Sequence, residues 1–69
     1  MPKKSEATIG QRIKQIRESK GMRKHDLAVK LKVSDQLVNH YELQKDMKLS
    51  NIKKIAKALG VTVHDILCS

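Results

Sequence analysis

The sequence predicts an all-α fold, five short helices joined by tight connections in one domain over residues 8–69. Three observations predict it. Residues 24–43, KHDLAVKLKVSDQLVNHYEL, carry apolar side chains at helical spacing on either side of a sharp break. Tyr41 is the only aromatic residue, so Leu, Ile, Val and Ala must build the core, which suits packed helices better than a sandwich. Cap residues (Thr8, Ser34, Thr62) precede the periodic runs, and Gly21 and Gly60 follow two of them.

Each element has its own justification. Residues 1–7 are polar and lysine-bearing and read as a flexible N-terminal arm. Thr8-Ile9-Gly10-Gln11 is a capping box that opens a first helix, with Ile9, Ile13 and Ile16 inward and Gln11, Arg12, Lys14, Gln15 and Glu18 outward. Gly21 ends it. A second helix spans about 24–31 on Leu27, Ala28 and Leu31, and Val33 plugs the corner after it. Ser34 caps a third helix, about 35–42, whose Val38 and Tyr41 face inward. Residues 43–48, LQKDMK, form a loop with neither glycine nor proline. A fourth helix follows at about 49–59 on Ile52, Ile55, Ala56 and Leu59. Thr62 then caps a last one at about 63–68, with Asp65 favouring its positive end.

Composition narrows the function. Lys and Arg number 15 against 7 acids, a net charge of +8, which favours a polyanionic partner through steering and counterion release. One tyrosine cannot supply a stacking platform for single strands, so duplex DNA is the better polyanion. Cys68 is the only thiol and cannot form an internal disulfide. Three dispersed histidines lack zinc-ligand spacing, and no cofactor is expected. No apolar run follows the charged start and no window approaches a membrane span, so the expected location is a reducing cytosol or nucleoid. His25-Asp26 and His64-Asp65 are sequence neighbours, and neighbours on a helix point in different directions. Neither is a catalytic dyad, and no nucleophile or phosphate cradle accompanies them, so no enzyme is expected.

The corner carries the chemistry. Packing Leu27, Ala28, Leu31, Val33, Val38 and Tyr41 inward leaves Asp35, Gln36, Asn39 and His40 pointing out together. This is the pattern of a helix-turn-helix whose second helix suits the DNA major groove. Gln36 and Asn39 can each read adenine with a bidentate amide, and His40 can donate to guanine or to a phosphate. Asp35 can accept from a cytosine amino group or simply stabilise the helix end. Arg23, Lys24, Lys45 and Lys48 bracket the corner and suit phosphate contacts.

Helix 1 (IGQRIKQIRESKGM), the corner, and the ending IKKIAKALGVTVHDIL together resemble the lambda-type repressor and Cro DNA-binding domain of the Xre family. The opening is also similar to the DNA-binding domain of the sporulation and biofilm regulators of bacilli. The resemblance covers about residues 8–68 and implies a five-helix lambda-repressor-like domain, acting as a sequence-specific, Cro- or repressor-like transcription regulator of a phage, mobile element or bacterium. It implies that Arg17 and Glu42 form an ion pair bridging helix 1 to the end of helix 3. It also implies that Asp35, Gln36, Asn39 and His40 stand where relatives touch base edges. Such domains usually dimerise across two half-sites, and the loop after helix 3 and the C-terminal helix, with Leu49, Val63 and Leu67 nearby, are the expected contact surface.

The chain departs from the family pattern near the same face. Arg23-Lys24 stands for the usual Thr-Gln, and Lys32 for the corner glycine. Leu43-Gln44 replaces Asn-Gly, and Met47 replaces a proline. With Lys32, either a side chain tolerates a left-handed conformation or the corner shifts. Leu37, Leu43 and Met47 together suggest an apolar patch. That patch supports an alternative, an anti-repressor or other module that keeps the fold but docks on another regulator protein.

Overall fold

Five helices pack in chain order, described over residues 8–67 of a computed structural model: α1 (Ile9–Ser19), α2 (Lys24–Leu31), α3 (Asp35–Leu43), α4 (Leu49–Leu59) and α5 (Val63–Leu67). The expected arm at residues 1–7 and the end of the last helix at Cys68 lie outside the described residues. α3 lies against α1 and α2, while α4 lies against α1, α2 and α5. The core they enclose is Ile13, Leu27, Ala28, Val38, Ile52, Ile55, Ala56, Leu59 and Ile66. Most of these are the inward positions that periodicity marks. Ile9, Ile16, Leu31, Val33 and Tyr41 are half-buried around it.

The caps explain the boundaries. Thr8 Oγ1 accepts from Gln11 N–H and Gln11 Oε1 accepts from Thr8 N–H, both at 3.2 Å. Thr62 and Asp65 form the same reciprocal arrangement at 3.0 Å in each direction. The Thr62 N–H bond is the main cause holding the Asp65 carboxyl below its ordinary range. Ser34 Oγ accepts from Leu37 N–H at 3.2 Å and starts α3. Gly60, at φ 75°, turns the chain out of α4, and Val61 N–H closes onto Ala56 O at 2.9 Å.

Two expectations need correction. Leu43 is the last residue of α3 rather than the first of the loop, because the extended backbone begins only at Gln44, whose ψ is 139°. Arg12 does not stand outward in solvent: it is half-buried, and its Nη1 donates to Ile66 O at 3.3 Å and to Leu67 O. A cation there satisfies carbonyls that the end of α5 leaves without helical partners.

At the corner, Lys32 takes φ 60° and ψ 43°, so a side chain does occupy the left-handed conformation. For a residue with a Cβ this costs about 1–2 kcal/mol. It keeps the turn tight enough for Val33 N–H to reach Ala28 O at 3.0 Å. Among the described residues no helix is long and apolar enough to cross a membrane.

Candidate nucleic-acid interface

α3 is held from beneath by an ion pair. Arg17 on α1 and Glu42 on α3 are only 5% and 6% exposed. Arg17 Nε donates to Glu42 Oε2 at 2.6 Å, and Nη2 reaches Oε1 at 3.4 Å. Nη1 donates to Met22 O at 2.7 Å, tying the end of α1 to the start of α2. One guanidinium thus fixes three pieces of backbone. A charge-assisted, bidentate bond of this kind is geometrically specific, because the guanidinium fork matches a carboxylate.

A second anchor is glycine. Gly10 N–H donates to Gln44 O at 3.0 Å, and Ile9 N–H points at Lys45 O at 3.4 Å. These are donors that the first turn of α1 would otherwise leave unpaired. A Cβ on Gly10 would lie 2.4 Å from Glu42 O and 2.7 Å from Gln44 O, so only glycine lets α1 approach this closely. The start of α1 therefore sets where the loop after α3 runs.

On this support Asp35, Gln36, Asn39 and His40 are all exposed on α3, and Arg23, Lys24, Lys45 and Lys48 are all exposed around it. Lys24 Nζ donates to Asn39 Oδ1 at 2.8 Å, joining a residue expected at phosphates to one expected at bases. His25 Nδ1 lies 3.1 Å from Asp35 Oδ1. The partner of His25 is Asp35, across the corner, and not its neighbour Asp26. Asp35 is therefore engaged within the protein.

Asp26 instead faces back to Arg23, whose N–H donates to its Oδ2 at 3.0 Å. That bond first, and the Arg23 charge with it, holds the Asp26 carboxyl below its ordinary range. It also explains how α2 starts without the usual cap residue. An arginine side chain cannot accept from the backbone, but Asp26 supplies the reciprocal half of a capping box.

A shallow cleft of about 330 Å³ runs between α1, α2, α3 and the loop, lined by Gln11, Lys14, Lys24, Asn39, Leu43 and Lys45 among others. Lys14 enters the site here although its sequence position marks only an outward face; nothing short of the docking of α1 on α3 could have placed it. Of the suggested apolar patch, Leu43 is 74% exposed, Leu37 is half-buried, and Met47 packs partly against the core. Leu49 and Leu67 are exposed while Val63 is half-buried. Among the described residues no group of three or more His, Cys, Asp or Glu could hold a metal ion.

The helix-turn-helix family profile matches residues 13–66. The chain is similar to the restriction-modification controller protein C.AhdI from Aeromonas hydrophila, with 30% identity and a TM-score of 0.76 over 87% of this chain and 92% of that one. It is similar to SinR, a master regulator for biofilm formation whose structure is in complex with DNA. The identity is 37% and the TM-score 0.74, over 87% of this chain and 98% of that one. The hypothetical transcription factor NHTF from Neisseria is 28% identical with a TM-score of 0.78, over 97% and 80% respectively. No curated protein sequence matches the chain significantly.

Proposed function

The chain belongs to the helix-turn-helix family of the Xre/Cro type, a family of DNA-binding transcription regulators and not of enzymes, and on that premise we propose that it reads duplex DNA sequence-specifically by placing α3 in the major groove. One observation carries the reading. The exposed amides of Gln36 and Asn39 sit on a helix anchored from behind by Arg17–Glu42 and rimmed by Lys14, Lys24 and Lys45. A major groove about 12 Å wide admits one helix, and Lys14 and Lys45 beside it then meet the flanking phosphates.

Roles follow from position. Gln36, Asn39 and His40 meet base edges, and Arg23, Lys45 and Lys48 meet phosphates. Asp35 works indirectly, by steadying the start of α3 through His25. The protein acts as a Cro- or repressor-like regulator and pairs on DNA across two half-sites about one helical turn apart. Exposed Leu49 and Leu67 are available for that contact.

Duplexes selected by the protein from a randomised pool are expected to carry a two-part, roughly palindromic site. On that site Gln36→Ala should cost about 1–3 kcal/mol and relax the preference at one base pair. Lys45→Ala should weaken every duplex alike and reduce the salt slope by about one unit. Equal enrichment of all duplexes, or an unchanged preference in the Gln36 variant, would count against the reading.

A further inference from the structure

We propose that Lys24 is a specificity-setting residue: by holding the carbonyl of Asn39 it makes that amide select guanine instead of adenine. The inference rests on the reading of α3 as the base-reading helix. It starts from the 2.8 Å bond between Lys24 Nζ and Asn39 Oδ1. An ammonium only donates, so the atom facing Lys24 must be the amide oxygen, and the orientation of the Asn39 side chain follows from chemistry alone. The amide nitrogen, with its two N–H donors, is then the end left for DNA.

A free asparagine suits adenine because it can accept from N6–H and donate to N7 together. Here one lone pair of the acceptor is already engaged, and a full positive charge stands beside it. Bringing the adenine amino group to the same oxygen would set its N–H dipoles against the ammonium. Guanine offers N7 and O6, both acceptors, to the same place. The Asn39 N–H donors and any spare Lys24 N–H all find partners on it. The pair therefore presents a run of donors, and guanine is the base whose edge is a run of acceptors. Lys14 and Lys45 line the same cleft and add to the positive field around Asn39, whereas Glu42, the acid of that cleft, is already bonded to Arg17.

The link reaches across 15 residues, from the first residue of α2 to the second turn of α3, so it also couples the two helices of the motif. Lys24 is exposed, and changing it leaves the core intact. Four duplexes differing only at the base pair where Asn39→Ala loses its preference provide the test, with the site taken from selection. The parent is expected to favour guanine there, and Lys24→Arg, which keeps a donor, should retain that preference. Lys24→Ala should lose it by roughly tenfold, with adenine rising relative to guanine. The double variant with Asn39→Ala should be no less selective at that base pair than Asn39→Ala alone. If Lys24→Ala weakens all four duplexes equally while Asn39→Ala still relaxes the choice, Lys24 is a phosphate contact only and the inference falls alone. A parent that favours adenine there overturns it equally. If Asn39→Ala changes no base preference anywhere, the assignment of Asn39 to base reading falls with it.

Discussion

Gly10→Ala is expected to lower stability by about 2–3 kcal/mol, even though alanine normally outranks glycine in a helix by about 1 kcal/mol. The reason is the company that the added methyl would keep. It would lie 2.4 Å from Glu42 O, 2.6 Å from Glu42 C and 2.7 Å from Gln44 O, all backbone atoms that cannot rotate away. Relief requires α1 to lift from the end of α3, which lengthens the Gly10 N–H bond to Gln44 O and frees the loop that carries Lys45. For a domain of this size the melting temperature should fall by roughly 10–20 °C. DNA affinity should fall as well, beyond what unfolding explains. Gln15→Ala, on the exposed side of the same helix, should stay within about 0.5 kcal/mol of the parent. A Gly10→Ala protein as stable as the parent would mean that α1 and the loop are not in the close contact described.

Breaking the Arg17–Glu42 pair from either side should be worse. Arg17→Met leaves a carboxylate buried without a counter-charge, and Glu42→Leu leaves a guanidinium in the same condition. Removing one partner of a buried pair costs about 3–5 kcal/mol, which is most of the stability that a small domain has to lose. Arg17→Met also leaves Met22 O without its donor. Replacing both at once, Arg17→Met with Glu42→Leu, removes the uncompensated charge and should cost clearly less than the two single changes added together. Chemical denaturation of the four proteins measures the coupling. Additive losses would show that the two side chains do not depend on one another in solution.

These two anchors differ in how far the sequence announces them. Arg17 and Glu42 are suggested by family resemblance, but no local pattern pairs residues on α1 and α3. Gly10 reads only as part of a capping box; its closeness to Glu42 and Gln44 exists once α1 has docked. The helices themselves are legible because their determinants are local. Thr8 with Gln11, Ser34, Gly60, and Thr62 with Asp65 cap or end the segments that apolar periodicity marks out. The end of α3 is less legible, since no glycine or proline stops it, and Leu43 falls inside the helix.

Contacts across the corner are the least legible of all. His25 reads naturally with adjacent Asp26, yet a helix sends neighbours apart, and the ring meets Asp35 over the turn. Lys24 and Asn39 are separately recognisable as a phosphate and a base residue, but their bond depends on the angle between α2 and α3. That angle rests on Lys32 accepting a left-handed backbone, one of two outcomes the sequence leaves open. The structure does not divide the positive charge in favour of one face either. Lys30, Lys54 and Lys57 line a separate groove of about 440 Å³ between α2 and α4.

That second basic surface makes the most direct measurement a map of where DNA touches the protein. Backbone amide shifts, recorded on addition of a selected duplex at moderate salt, report this residue by residue. Changes should concentrate at residues 35–40 on α3, at 23–25 where α2 begins, and at 44–48 in the loop, and an unrelated duplex should reproduce only the last two sets. Changes centred on Lys30, Lys54 and Lys57, or the same pattern for both duplexes, would contradict a base-reading α3.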